Sequence, residues 1–318
     1  MPSLLISRPL PDTVLAAARA RFDVDVRDTT LPMTHEECVE ALKSHDAILP
    51  TLGDAFCAVA FAEVPEPRTK ILANFGVGYN HIDVSAAQAA GLAVTNTPGA
   101  VTDATADIAM TLMLMACRRA GEGERMVRAN AWAGWHPTQL LGFHVSEKTV
   151  GIVGMGRIGK AIAKRCHGGF GMDVVFYNRS RVTDPGMPAR QIEALPELLG
   201  VADIVVLAVP ATPDTHHLIG AAELAAMKPE GFLINIARGD VVNEAALTDA
   251  LEGGRIAGAG LDVYEFEPEV PAALKALDNV TLLPHLGTAA LEVREAMGMM
   301  AVENLLAWQD GRTLPNAV

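Results

Sequence analysis

The stretch Thr149-Val150-Gly151-Ile152-Val153-Gly154-Met155-Gly156-Arg157-Ile158-Gly159-Lys160-Ala161-Ile162-Ala163-Lys164 decides the fold. An apolar, β-branched run enters a turn spaced Gly-x-Gly-x-x-Gly, and a helical pattern leaves it. Gly154 allows the tight turn, Gly156 lets a ligand approach the backbone, and Gly159 lets the helix lie close on the strand. The free N–H groups at the helix start then face an anion. Strand, glycine turn and helix in this order predict a dinucleotide pyrophosphate cradle made by Gly154, Met155, Gly156, Arg157, Ile158 and Gly159.

Downstream of this turn the pattern repeats. Apolar runs at 174–177, 204–208, 232–236, 257–261 and 280–283 alternate with helical stretches at 160–167, 196–199, 221–227 and 244–252. With 149–153 they make six strands joined by helical crossovers, the doubly wound dinucleotide-binding pattern. Upstream, runs at 4–6, 24–26, 47–49, 71–73 and 92–94 alternate with helical stretches at 13–21, 34–42 and 84–90, which predicts a second parallel sheet. A helix over 103–119 is apolar nearly all round and expected to be buried. A last helix over 292–308 returns toward the first sheet. At 318 residues the chain exceeds what one hydrophobic core usually fills, so two domains are expected.

Lys and Arg number 25 against 38 Asp and Glu, a net charge of −13. Such a chain lacks the clustered cations that nucleic acid or an anionic membrane requires. The start, Met1-Pro2-Ser3-Leu4-Leu5-Ile6-Ser7-Arg8, is apolar over too short a stretch for a secretory signal, and no run approaches a bilayer span, so a cytoplasmic location is expected. Cys38, Cys57, Cys117 and Cys166 show no paired spacing and read as buried or idle thiols. His216-His217 has no accompanying carboxylate or cysteine pattern and reads as a surface loop; no metal is expected. The methionines at 110, 113, 115, 297, 299 and 300 read as core filler.

The strand after the glycine turn ends at Asn178-Arg179-Ser180-Arg181. An enzyme selective for NAD carries an acidic residue at about this distance, to bond the ribose 2′-hydroxyl. Asn178 carries no charge to repel a 2′-phosphate. Arg179 and Arg181 can pair with one, and Ser180 can donate to it. NADP(H) is therefore the expected cofactor, with NAD(H) possible.

Three further stretches stand at strand ends, where ligands of open α/β sheets bind. They are Asn235-Ile236-Ala237-Arg238-Gly239-Asp240, Gly260-Leu261-Asp262-Val263-Tyr264-Glu265-Phe266-Glu267-Pro268 and Leu283-Pro284-His285-Leu286-Gly287-Thr288. Reduction of a 2-keto acid needs a guanidinium to clamp the carboxylate and polarise the ketone. It also needs a histidine to protonate the oxygen, and a carboxylate to favour that histidine's charged form. Arg238, His285 and Glu267 can supply these parts in that order, although spacing alone does not show that they meet.

These motifs, with Asn74-Phe75-Gly76-Val77-Gly78-Tyr79-Asn80-His81-Ile82-Asp83, resemble the D-isomer-specific 2-hydroxyacid dehydrogenase family from about Leu4 to Pro315. The resemblance implies a flavodoxin-like substrate domain over 1–99 and 288–318 and a Rossmann dinucleotide-binding domain over 100–287. It implies that Arg238 binds substrate, that Glu267 and His285 form a relay with His285 as proton donor, and that N–H groups around Val77 and Gly78 hold the substrate carboxylate. Asp262 would contact the nicotinamide carboxamide; Ile236, Ala237, Val209, Pro210 and Thr215 would line the cofactor. Trp132-Ala133-Gly134-Trp135-His136-Pro137 is most similar to the glyoxylate/hydroxypyruvate reductase branch. There a tryptophan matching Trp135 reaches the neighbouring subunit of a homodimer, and Leu52 would help wall the pocket. Formate dehydrogenases of this fold typically carry Gln where Glu267 stands. Two other readings stay open: a dinucleotide-sensing binding protein with vestigial activity, and a reductase for a larger keto acid such as phenylpyruvate.

Overall fold

Segments such as Ile71-Leu72-Ala73 and Ile204-Val205-Val206-Leu207 are buried at every position, the signature of parallel strands covered on both faces. The computed structural model describes residues 1–318 and divides into two units, Met1–Val101 with Ala289–Val318, and Thr102–Thr288. The divisions follow Val101 and Thr288 rather than 99 and 287.

In the first unit β1 (Ser3–Ile6), α1 (Asp12–Arg19), β2 (Asp23–Val26), α2 (His35–Ser44), β3 (Ala47–Leu49), α3 (Ala58–Glu63), β4 (Ile71–Ala73), α4 (Val84–Ala89) and β5 (Ala93–Thr95) succeed one another. The five strands are all parallel in the order β2-β1-β3-β4-β5, the flavodoxin-like winding. Thr34 starts α2 with a reciprocal capping box to Glu37, and Asp83 caps α4 through the Ala86 N–H.

The second unit holds α5 (Thr102–Cys117), α6 (Ala120–Arg128), β6 (Thr149–Val153), α7 (Arg157–Phe170), β7 (Asp173–Tyr177), β8 (Arg190–Gln191), α8 (Leu195–Val201), β9 (Ile204–Leu207), α9 (Ala221–Ala226), β10 (Phe232–Asn235), α10 (Glu244–Glu252), β11 (Gly258–Leu261), α11 (Ala272–Ala276) and β12 (Val280–Leu282). Its seven strands run parallel in the order β12-β11-β10-β9-β6-β7-β8. That is the Rossmann order with β6 at the reversal beside β9, where such sheets take ligands. One face is covered by Leu198, Leu199, Leu224 and Leu247 from α8, α9 and α10. The other is covered by Met110, Leu112 and Met113 from α5 and Ile162 from α7.

The chain's last helix, α12 (Leu291–Gln309), belongs to the first unit and packs on α1 and β4. A Cβ at Gly298 would meet Val14 Cγ2 at 2.4 Å, so the two helices touch through a glycine notch. Val318 N–H then donates to Val94 O at 3.0 Å, tying the tail to β5.

Four elements escape the sequence patterns: β8, α3, α6 and α11. The first is a two-residue edge strand, and α6 is polar and glycine-interrupted, with no buried residue. Not every methionine fills the core, since Met299 lies on the open face of α12, 44% exposed. Cys38, Cys117 and Cys166 are buried free thiols, and burial pushes each up to about 12. No helix is long and apolar enough to cross a membrane.

Candidate active site

In the β6–α7 turn the three glycines have different surroundings. Gly154 has a φ of +101°, and a Cβ there would lie 2.7 Å from the Ala208 carbonyl oxygen. A Cβ at Gly159 would lie 2.1 Å from the Gly154 carbonyl oxygen, so helix and turn are in backbone contact. At Gly156 a Cβ meets nothing within 4 Å, which leaves open space beside the helix start. No side chain caps α7, so its first N–H groups keep their capacity for an anion. This cradle fits a pyrophosphate.

Beyond β7 the sequence locates the loop but not the work of its asparagine. Asn178 Oδ1 accepts the Met155 N–H at 3.2 Å, while Nδ2 donates to the carbonyl oxygen and Oγ of Ser180 at 2.9 and 3.2 Å. The amide thus ties the glycine turn to the loop that carries the arginines. Gln191 of β8 braces the same loop, accepting the Val182 N–H at 3.0 Å and donating to Ser180 O at 3.2 Å. Arg179 is 90% exposed with only Asp214 within 3.9 Å, and Arg181 is exposed too. An ion pair so exposed contributes little, and both guanidiniums stay available. In the neighbouring loop, with Val209 half-buried and Pro210 exposed, Thr215 turns its hydroxyl inward. That hydroxyl donates to Pro210 O at 2.8 Å and accepts the Thr212 N–H at 2.8 Å.

At the end of β10, Asn235 folds the chain over itself. Its Oδ1 accepts the Ala237 N–H at 3.0 Å and its Nδ2 donates to the Arg238 carbonyl at 2.9 Å. Ile236 and Ala237 are buried beside it. Arg238 follows, with Nη1 donating to Ala237 O at 2.7 Å. Burial pushes this guanidinium below its usual range, against the opposing charges of Glu267 and Asp240. It makes no ion pair, so most of its N–H donors remain uncommitted.

Asp262, at the end of β11, is 1% exposed and commits both carboxylate oxygens to backbone. Oδ1 accepts the Leu286 N–H at 2.6 Å and Oδ2 the Gly287 N–H at 2.8 Å, while its carbonyl accepts the His285 N–H at 2.9 Å. Asp262 therefore shapes the loop that presents His285. His285 has a φ of +54°, a left-handed backbone that a side chain other than glycine adopts at a cost of about 1–3 kcal/mol.

His285 Nδ1 lies 2.9 Å from Glu267 Oε2. The other Glu267 oxygen accepts the Tyr264 N–H at 3.1 Å. Burial pushes the Glu267 carboxyl up, but the hydrogen bond and charge of His285, the Tyr264 N–H and the charge of Arg238 outweigh it and hold it below the ordinary range. With Nδ1 taken by Glu267, Nε2 of His285 faces no protein partner and is the atom free to exchange a proton. Arg238, Glu267 and His285 thus belong to one electrostatic group of the second unit. The tandem histidines are not a plain surface loop: His217 Nε2 pairs with Glu265 Oε1 at 2.7 Å, and His216 stacks on it at 4.0 Å.

The first unit contributes a separate cradle. Asn74 Nδ2 donates to the carbonyls of Gly76 and Gly78 at 3.1 and 3.0 Å, and Asn96 Nδ2 donates to Val77 O at 3.0 Å. With the carbonyls drawn back, the Val77 and Gly78 N–H groups have no acceptor in the protein. Two buried asparagines, whose part here sequence reasoning did not identify, shape this loop. Leu52 is half-buried in the turn after β3 of the same unit. Trp135 sits in an irregular segment after α6, 79% exposed.

Comparison with known proteins identifies the family. Residues 110–287 match the D-isomer specific 2-hydroxyacid dehydrogenase, NAD binding domain family. A glyoxylate reductase of Thermococcus gammatolerans is 41% identical over 322 residues, covering 100% of this chain and 96% of its own. A glycerate dehydrogenase of Hyphomicrobium methylovorum is 38% identical, covering 94% of this chain and 93% of its own. Among solved structures, the NADPH-dependent glyoxylate/hydroxypyruvate reductase of Sinorhizobium meliloti, in complex with NADP and malonate, superposes with a TM-score of 0.86 at 35% identity, covering 100% of this chain and 96% of that one. With one relative matched end to end and the signature domain present, this chain belongs to the D-isomer-specific 2-hydroxyacid dehydrogenase family.

Proposed function

We propose that the chain reduces a small 2-keto acid of the glyoxylate or hydroxypyruvate kind to its D-2-hydroxy acid, in the cytoplasm, with NADPH preferred over NADH. The observation that carries the reading is the 2.9 Å His285–Glu267 pair with a free Nε2, set in one electrostatic group with a half-buried Arg238 that has no carboxylate partner.

When bound, the nicotinamide supplies the hydride. The rest falls to the chain. Arg238 clamps the substrate carboxylate and draws electron density from the ketone oxygen. As the carbonyl π bond breaks and the new C–H bond forms, the proton on His285 Nε2 moves to that oxygen and gives the hydroxyl. Glu267 orients the imidazole beforehand through Nδ1, and takes no proton itself. On the first unit, the Val77 and Gly78 N–H groups suit a carboxylate.

Gly154 to Gly159 and the start of α7 would hold the pyrophosphate. Ile236, Ala237, Val209 and Pro210 would line the cofactor, and Asp262 keeps lone pairs for the carboxamide beyond those given to Leu286 and Gly287. Preference for the 2′-phosphate is supported by the uncharged Asn178, by the exposed Arg179 and Arg181, and by the NADPH dependence of the S. meliloti enzyme.

A second copy is the natural cover for the apolar surface around α6. Val127, Trp132, Trp135 and Leu141 are all more than half exposed there, more apolar surface than a lone subunit usually leaves in one stretch. Light scattering at micromolar concentration should give a dimer mass.

The test of the reaction is a panel of glyoxylate, hydroxypyruvate and phenylpyruvate, each with NADPH and with NADH, followed at 340 nm. Rapid loss of absorbance with the two small acids supports the reading. Turnover of phenylpyruvate above both would move the substrate to the larger class. Tight NADPH binding with no turnover of any acid would leave a sensor.

A further inference from the structure

Behind the Glu267 turn lies a second carboxyl that the reaction does not use. Glu244 is the first residue of α10, 5% exposed, and its Oε1 accepts the Glu265 N–H at 2.9 Å. Its own N–H points back at Glu265 Oε2, 3.5 Å away. Its Oε2 is buried with no hydrogen-bond partner. An orphaned polar atom in a dry site costs about 1–3 kcal/mol, so something is gained by keeping it there.

We propose that Glu244 is a positioning residue, which grips the 264–267 turn and so sets where the Glu267 carboxylate meets His285. The inference deepens the reductase reading and rests on it. The chain of contacts is short. Glu244 holds the Glu265 N–H, the adjacent Tyr264 N–H holds Glu267 Oε1, and Glu267 Oε2 holds His285 Nδ1. A third brace comes from His217, whose Nε2 fixes Glu265 Oε1 at 2.7 Å.

The charge on Glu244 follows from its surroundings. Burial pushes the carboxyl up, the Glu265 N–H pulls it down, and the charges of Glu265 and Glu267 on the facing turn push it up again. From the segment after β9, the imidazole of His217 reaches Glu265 rather than Glu244. Burial and the facing charges thus favour the protonated form of Glu244 more than water would.

Glu244→Gln and Glu244→Ala separate this role from general support of the fold. The glutamine keeps the acceptor, so kcat stays within about twofold of wild type. The alanine frees the turn, and kcat falls roughly 10–100-fold while the KM for NADPH holds. Titration of the Glu267 carboxyl by ¹³C NMR gives a readout that needs no turnover, with its resonance assigned through Glu267→Gln. The midpoint should rise in the alanine variant, where the Tyr264 N–H is no longer held in place, and should not rise in the glutamine variant. Wild-type kcat and midpoint in the alanine variant would overturn the proposal. So would a midpoint that rises in the glutamine variant, which keeps the acceptor, and this arm stands even if the alanine variant fails to fold. Should wild type turn over no keto acid, the reductase reading falls while the titration still reports on Glu244.

Discussion

Gly239 and Tyr264 meet backbone to backbone, so closely that a Cβ at Gly239 would stand 1.8 Å from the Tyr264 carbonyl carbon. Gly239 follows Arg238 directly, and Tyr264 opens the turn that ends in Glu267. The contact therefore clamps the guanidinium turn onto the carboxylate turn, with Glu244 gripping the same peptide from below. Two catalytic candidates from different strand ends are thus held in register by a glycine with no side chain of its own.

Gly239→Ala has no soft neighbour to displace, since the nearest atoms are all backbone of Tyr264 and Glu265. Overpacking of this sort costs about 1–3 kcal/mol, and the rigidity of the contact puts this case at the upper end. At about 2–4 °C per kcal/mol for a unit of this size, the melting temperature should drop by roughly 5–10 °C. Calorimetry checks it. A variant that melts with wild type would mean that the two turns are not in contact.

The His285–Glu267 pair makes two linked predictions. His285→Ala should lower kcat roughly 10²–10⁴-fold, the usual share of a general acid, while NADPH still binds. Stopped-flow turnover and fluorescence titration of the cofactor separate the two effects. The pH dependence follows from the depressed Glu267 carboxyl. A carboxylate with a lowered folded pKa stabilises the native state above its unfolded value, about 4.3, and that stability is lost as pH falls through the folded value. The Glu267 limb of the kcat/KM profile should accordingly have its midpoint below about 4.3. A midpoint above that range, in protein still folded by circular dichroism, would mean that His285 and Arg238 do not act on Glu267 as the geometry implies.

The central strands were legible because burial on both faces favours an unbroken apolar run, as in Ile204-Val205-Val206-Leu207. Arg190 and Gln191 could not be read as a strand, being polar and only two residues long at the sheet edge. The candidate site was legible where chemistry demands a residue type, as at Arg238 and His285. It was opaque where an ordinary polar residue organises the backbone. Asn178 is conspicuous in the sequence as a missing acid, yet nothing there says that its amide spans from Met155 to Ser180. Asn74 and Asn96 act from different strand ends on one loop, a relation that exists only after folding. Glu244 looks like any acid in the first turn of a helix, favourable to the helix dipole, until its burial is known.

Arg179 and Arg181 carry the cofactor preference in this reading. Charge-assisted hydrogen bonds contribute about 1.5–3 kcal/mol each, so removing both arginines should raise the KM for NADPH by at least about tenfold. The KM for NADH, which has no 2′-phosphate, should change little. Initial rates with both cofactors measure the difference. Equal effects on the two would take the phosphate away from this loop. Asn178→Asp should act in the same direction by repulsion, while its carboxylate still accepts the Met155 N–H.

Gly156 and Gly159 offer a contrast within one turn. Both belong to the fingerprint, but only Gly159 is crowded by the protein, with Gly154 O at 2.1 Å from an added Cβ. Gly159→Ala must push α7 off β6 and should cost about 1–3 kcal/mol, visible as a lower melting temperature without any ligand. A Cβ at Gly156 enters open space, so Gly156→Ala should melt close to wild type. The same space is where the pyrophosphate would lie, so that variant should lose affinity for NADPH and NADH alike. Calorimetry and fluorescence titration of the two variants therefore give opposite patterns, one failing in stability and the other in binding. If Gly156→Ala binds both cofactors as tightly as wild type, the open space beside α7 is not the cradle, and the dinucleotide must lie elsewhere on the sheet.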